Sequence, residues 1–173
     1  SIWVFADYRN YFQNRITLQL LAKANDLASG LAAEVCAVVF GYETEEYVAE
    51  YIAHGAHKVL VVEHSSLKQY SVEKYTAIME NLAREYKPEI ILVGATSFGK
   101  EFAPRVAKCL DTGLRADCIG LEITDGGNLL QIAPSFGGNL IAEIGAAAMN
   151  ANLGGRDHGA IYVEKQVIRW CRD

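Results

Sequence analysis

Across 173 residues the chain sets 16 Lys and Arg against 21 Asp and Glu, a formal net charge of −5 with the signs interspersed, so the basic face of a nucleic-acid binder is not expected. With 51% hydrophobic residues and only three prolines, it can bury the core of one domain, or of one domain with an extension, which excludes a disordered chain. No uncharged apolar run approaches the ~18–20 residues that cross a bilayer, so membrane insertion is not expected.

Strand and helix signals alternate from the first residues. Ile2–Ala6 reads as a core strand with no basic stretch or cleavage site before it, so no secretory leader is expected. From Ile16 to Ala28, Ile16, Leu20, Leu21, Ala24, Leu27 and Ala28 recur at helical spacing, and Gly30 supplies a stop. Glu34–Phe40 is a second strand ended by Gly41. Thr44 can cap a helix carrying Tyr47, Val48, Tyr51 and Ile52, which stops near Gly55. Lys58–Val62 is a third strand. Ser71 starts a helix aligned on Val72, Tyr75, Ile78, Met79 and Leu82 and ending before Pro88. Glu89–Val93 is a fourth strand. The helix after it carries Phe102, Val106, Cys109 and Leu110. Pro104 belongs in a first helical turn, which predicts a start near Lys100–Ala103.

Strands joined by helices of this length give a mostly parallel α/β sheet flanked by helices. After residue 115 the pattern changes to short β runs, Cys118–Thr124, Leu129–Ala133 and Leu140–Ile144. They are separated by Asp125-Gly-Gly-Asn128 and Ser135-Phe-Gly-Gly-Asn139, and the first is a hairpin signal, so an antiparallel β extension is expected there. Residues 145–173 form an extension of uncertain structure, in which Ala160–Val163 is a candidate last strand.

Chemistry concentrates at the end of the fourth strand. Gly94 to Lys100 satisfies G-x-x-x-x-G-K in strand–turn–helix context, where backbone N–H groups can hold an anion. The next residue is Glu101, not the Ser or Thr that ligates magnesium, and no later strand offers a magnesium-binding Asp, so an NTPase is not expected. A looser anion or nucleotide contact through Thr96, Ser97, Gly99 and Lys100 stays open, beside the alternative that the glycines let this loop pack tightly against another polypeptide. The dinucleotide fingerprint G-x-G-x-x-G is absent after the first strand, where Asp7-Tyr-Arg-Asn10 stands. His54, His57 and His64 lie close together without a metal-ligand spacing, and Glu101 with Arg105 reads as a helical ion pair. Cys36, Cys109, Cys118 and Cys171 form no C-x-x-C pair and read as reduced thiols of a cytosolic or organelle-matrix protein. No catalytic arrangement is supported by spacing.

Three motifs in order resemble the N-terminal domain of the electron-transfer flavoprotein alpha subunit. They are Gly94-Ala-Thr-Ser-Phe-Gly-Lys-Glu-Phe-Ala-Pro-Arg105, then Thr112-Gly-Leu-Arg-Ala-Asp-Cys118, then Ala133-Pro-Ser-Phe-Gly-Gly-Asn139. The resemblance covers 1–144. It implies a nucleotide-binding-like sheet that pairs with a beta subunit, and an assembled protein that shuttles electrons between flavin dehydrogenases and other redox partners. FAD is implied in the assembled protein, held by a separate C-terminal domain of alpha, with AMP or a second FAD in the partner subunit. Residues 145–173 resemble neither that FAD domain nor the Pro- and Arg-rich segment leading to it. The resemblance also implies a bacterial cytoplasmic or mitochondrial-matrix setting and a carrier rather than an enzyme. Lys100 and Arg105, with the loop amides, are expected to offer positive potential to a flavin, a nucleotide or an acidic partner surface. The alternatives are a stand-alone adenine-nucleotide-binding module and a small enzyme using Cys118 or Cys109.

Overall fold

A computed structural model describes residues 1–135, 138–144 and 160–164. Its main sheet has six strands, all parallel, in the order β3-β2-β1-β4-β9-β5. They are β1 (Ile2–Phe5), β2 (Val35–Gly41), β3 (Lys58–Glu63), β4 (Ile90–Gly94), β5 (Leu114–Cys118) and β9 (Ala160–Glu164). A second sheet is antiparallel, β6-β7-β8, from β6 (Gly120–Ile123), β7 (Leu129–Ser135) and β8 (Gly138–Ile144). The α/β sheet and the antiparallel addition therefore stand as the sequence predicts. The difference is that Leu114–Cys118 joins the parallel sheet, so the antiparallel part begins at Gly120 rather than Cys118. The Asp125–Asn128 turn links β6 to β7 with Gly127 at φ +77°, the left-handed conformation that glycine adopts without strain.

Alternate strand residues bury on opposite faces. Ile2 and Val4 pack with Val35, Ala37 and Val39 against Leu20, Leu21, Ala24 and Leu27 of α1 (Tyr11–Leu31) and Tyr51 of α2 (Glu45–Ala53). Trp3 and Phe5 pack with Val38 and Phe40 against Tyr75 and Met79 of α3 (Val72–Tyr86) and Phe102 and Val106 of α4 (Ser97–Leu110). Both strand faces are apolar because helices cover both, which explains the continuous rather than alternating hydrophobic runs.

Four local expectations are corrected. α1 starts at Tyr11 rather than Ile16, because the Asn10 side chain accepts the Gln13 N–H at 3.0 Å and caps the helix upstream. Tyr11 and Phe12 are 70% and 66% exposed, so the buried periodicity could not reveal that turn. Gly30 does not end α1. The stop is Ala32, in the left-handed region at φ 49°, while a Cβ on Gly30 would lie 3.0 Å from Ile123 Cβ. The glycine serves the close passage of α1 over the second sheet. Thr44 precedes α2, but its hydroxyl gives no cap bond and donates to Glu63 Oε1 at 2.6 Å. α4 begins at Ser97, not near Lys100–Ala103, because Thr96 caps it and fixes the first turn upstream. Pro104 then lies inside the helix on its exposed side, where water can replace the bond that the Lys100 carbonyl loses.

Candidate functional site

In the order β2-β1-β4, α1 and α4 leave β1 and β4 toward opposite faces of the sheet. The carboxyl ends of β1 and β4 therefore form the switch point at which open α/β sheets hold their ligands. Here the crevice is bridged by the chain itself. Asp7 follows β1 and is 6% exposed, and Thr96 follows β4 and is 8% exposed. The Thr96 hydroxyl donates to Asp7 Oδ2 at 2.9 Å and accepts the Gly99 N–H at 3.0 Å. Arg9 closes the arrangement as a fork, its Nε and Nη2 donating to the two Asp7 oxygens at 2.9 Å each. The Asp7 N–H donates to Thr17 Oγ1 at 3.0 Å, tying the same loop to α1.

The Arg9 guanidinium lies 4.1 Å from the Phe98 ring centroid and 5.1 Å from that of Tyr70. Phe98 stacks in turn on Phe5, with centroids 5.3 Å apart and planes 5° from parallel. A buried carboxylate is tolerable only when paired and hydrogen-bonded, and Asp7 meets both conditions with Arg9 of its own loop and Thr96 after β4. The switch point is a packed polar knot on an aromatic floor.

Beside the knot, between the ends of β1 and β2, is a cavity of about 140 Å³ lined by aromatic side chains together with Asp7, Arg9, Glu43 and Lys68. The Tyr8 hydroxyl donates to the Phe40 carbonyl at 3.0 Å, and a Cβ on Gly41 would lie 1.6 Å from that hydroxyl, so a side chain there would displace it. Burial pushes the Tyr8 and Tyr70 phenols up to about 12.

The residues singled out from sequence all lie on the Thr96 cap and first three turns of α4, but they face two ways. Thr96 and Gly99 are buried, and Ser97, Lys100 and Arg105 are exposed. The Gly99 N–H is taken by Thr96. A Cβ on Gly99 would lie 1.9 Å from the Gly94 carbonyl oxygen, and one on Gly94 would lie 2.8 Å from Ile16 Cγ2. Both glycines of the phosphate-loop-like pattern thus serve close packing of α4 and α1 on β4. Arg105 sits 3.8 Å from Glu101 Oε1, as the helical spacing predicts. His57 Nδ1 accepts the Val35 N–H at 3.2 Å, and His64 Nδ1 accepts the Ser66 N–H at 3.1 Å, so two of the clustered histidines serve the backbone. Cys36 and Cys118 are buried and Cys109 is half-buried. His158 and Cys171 lie outside the described residues. Sequence reasoning missed Asp7, Arg9, Tyr70 and Phe98. The one available signal was a charged Asp-x-Arg placed directly after a buried strand.

A family model for the electron transfer flavoprotein domain matches residues 2–151. The chain belongs to the electron transfer flavoprotein family. That is a family of flavoprotein electron carriers, and the motifs around Gly94, Thr112 and Gly138 lie within the match. The chain is 45% identical over 144 residues to the electron transfer flavoprotein subunit alpha of Thermoanaerobacterium thermosaccharolyticum, a stretch that is 83% of this chain and 44% of that protein. It is 41% identical over 145 residues to the subunit alpha of Clostridium acetobutylicum, covering 83% and 43%. It is 38% identical over 144 residues to the lactate dehydrogenase (NAD(+),ferredoxin) subunit LctC of Acetobacterium woodii, covering 83% and 34%. The chain spans less than half the length of these curated relatives. No helix among the described residues is long and apolar enough to cross a membrane.

Flavin binding in this family raises the question of whether the switch point fits such a group. It does not. The helix-terminal N–H of Gly99 is held by Thr96, two of the five Arg9 N–H groups are held by Asp7, and the cavity beside them, about 140 Å³, is far below the ~300–1,000 Å³ of cofactor pockets.

Proposed function

We propose that the chain is the N-terminal domain, residues 1–144, of an electron-transfer flavoprotein alpha subunit, and that its task is positional. It pairs with a beta subunit, and the assembled protein shuttles electrons between flavin dehydrogenases and other redox partners. FAD is held in that assembly by residues outside this domain, with AMP or a second FAD in the partner subunit. The domain adds rigidity rather than catalysis. The setting proposed is the bacterial cytoplasm, the relatives compared being bacterial.

The observation that carries this reading is the closed switch point. A stand-alone nucleotide module needs unspent N–H donors and room at the carboxyl ends of its strands, and this chain fills that place with Asp7, Arg9 and Thr96. On its outer side α4 exposes Ser97, Lys100 and Arg105, together with Glu101, Pro104 and Lys108. Those residues are proposed as the face turned toward the partner subunit or a flavin at its edge, with Thr96 and Gly99 holding the helix that presents them.

The test uses the full-length alpha subunit containing this chain, co-produced with its beta subunit. A yellow heterodimer is expected, with Lys100→Ala or Arg105→Ala weakening subunit affinity or shifting flavin potential while leaving the melting temperature nearly unchanged. If both variants leave affinity and potential as they were, the role of this face is wrong. Equilibrium dialysis of the chain alone with AMP, ATP and FAD separates the alternative: submicromolar binding by the chain alone would replace the scaffold with a nucleotide module.

A further inference from the structure

The first turn of α1 carries two adjacent aromatic side chains that the domain does not bury. Tyr11 is 70% exposed and Phe12 66%, more than any other large hydrophobic side chain among the described residues. Helix formation does not call for them, because aromatic residues lose χ1 freedom against the preceding turn. The helix start is already held by the Asn10 side chain, which accepts the Gln13 N–H. The two rings meet edge to face, with centroids 5.8 Å apart and planes at 72°, and so form one ridge. Arg15, one turn on and exposed, holds its guanidinium 5.8 Å from the Tyr11 centroid. It forms no ion pair among the described residues. The carboxylates bonded to this segment, Asp7 and Glu50, take Arg9 and Asn14 instead. Tyr, Phe and Arg are the residue types in which interface cores are enriched.

Shape, area and charge define what covers the ridge. A small ligand takes a concave site, whereas these rings stand out from the helix. Buried aromatic side chains hide ~150–250 Å² each, so at these exposures the pair offers roughly 200–350 Å². A specific interface takes about 800 Å² from each partner, so the ridge is the centre of a larger contact. The surface that continues it is the carboxyl edge of the main sheet, where α1 and α4 both start, on opposite faces. Arg9 and Asn10 are exposed there before α1, and Ser97 and Lys100 at the start of α4. Arg15 and Lys100 both lack a carboxylate partner among the described ion pairs, which asks for an acidic rim on the covering surface. We propose that Tyr11, Phe12 and Arg15 are the hot spot by which the beta subunit holds this domain, an apolar pocket of that subunit taking the two rings and a carboxylate at its rim taking Arg15. This rests on the positional reading above and extends its partner face across the carboxyl edge from α4 to α1.

The affinity of the full-length alpha subunit containing this chain for its beta subunit tests the hot spot. Tyr11→Ala and Phe12→Ala are each expected to weaken it about tenfold or more. The melting temperature of the unpaired alpha subunit should stay nearly the same, because both rings are exposed. Ile52→Ala removes a side chain that is 56% exposed in the last turn of α2 and should leave affinity unchanged. Arg15→Gln should narrow the gap between affinities at low and high salt, and Arg15→Lys should restore most of it. Aromatic variants with wild-type affinity would overturn the hot spot, and the positional reading stands if Lys100→Ala still weakens the pair. A wild-type pair that never forms would overturn both. Self-association of the chain that Phe12→Ala abolishes, or altered flavin fluorescence at unchanged affinity, would assign the ridge to a second copy or to a flavin and overturn the hot spot as well.

Discussion

Replacing Gly99 by alanine tests whether the glycines around Gly94–Lys100 exist for packing. A Cβ at position 99 would stand 1.9 Å from the Gly94 carbonyl oxygen and 3.0 Å from Val93 Cγ1. The first contact is to strand backbone, which cannot rotate away, so the N-terminal turn of α4 must lift by about 1 Å or more to restore van der Waals distance. That movement pulls Phe98, Phe102 and Ala103 out of register with Phe5, where they are now 3%, 0% and 0% exposed. Overpacking of this kind costs about 1–3 kcal/mol. Against it stands the ~1 kcal/mol that alanine gains over glycine in a helix. Net destabilisation of about 1 kcal/mol is expected, set against a ~5–15 kcal/mol total stability. In urea this is a fall in midpoint of roughly 0.5 M, given slopes of ~1–3 kcal/mol/M. Gly113→Ala is the control, because nothing lies within 4 Å of a Cβ there. It is expected to be neutral or stabilising by up to ~1 kcal/mol. If Gly99→Ala matches Gly113→Ala, α4 does not press on β4 as described, and the glycine pattern needs an explanation outside packing.

Three further outcomes are expected. Thr96→Val removes both the α4 cap and a bond to Asp7, and should cost about 2 kcal/mol by urea unfolding, with Thr96→Ser restoring most of it. Glu63 is held below the usual carboxylate range by the Thr44 hydroxyl and N–H, both donating to Oε1 at 2.6 Å. Its folded value is depressed, so its contribution is present above the unfolded pKa of about 4.3 and lost as pH falls below it; Glu63→Gln should flatten that part of the acid limb of a stability–pH profile. Burial raises Tyr8 and Tyr70 to about 12 and Tyr51 further still. Raised values mean stability that is present below pH ~10 and lost as pH climbs through the folded pKa. Phenolate absorbance should therefore show part of the nine tyrosines silent at pH 11 and released with unfolding.

The alternation of strands and helices was legible because burial on both faces leaves runs such as Val35–Phe40 with no polar interruption. Ends were less legible, since they turn on single contacts. Nothing about Ala32 announces a left-handed stop, and Gly30, which looks like one, answers to Ile123 of a different sheet. Pro104 is misleading in the same way, because the Thr96 cap anchors the turn before it and places the proline inside the helix. The knot was largely illegible because Tyr70, Phe98 and the Asp7–Arg9 pair come from three distant stretches of sequence, and each is ordinary alone. Only the β1–β4 adjacency brings Asp7 to Thr96, 89 positions away.

That adjacency also decides what the switch point can attract. An unpaired carboxylate at ~4 Å from a phosphate would be repelled by about 4 kcal/mol at an effective dielectric of 20. A helix N-terminus returns only ~0.3–1 kcal/mol. Arg9 cancels the repulsion with its forked face, Nε and Nη2 both donating to Asp7. The pair is thus neutral, and a nucleotide arriving there gains no net field from it. Positive charge remains on the outer side of α4. There Arg105 shares its charge loosely with Glu101, at 3.8 Å and half exposed, while Lys100 forms no ion pair among the described residues. Loss of Lys100 should therefore be felt more strongly than loss of Arg105 by whatever surface meets this helix, and subunit affinity measured at two salt concentrations reads that order directly, the gap narrowing as salt rises.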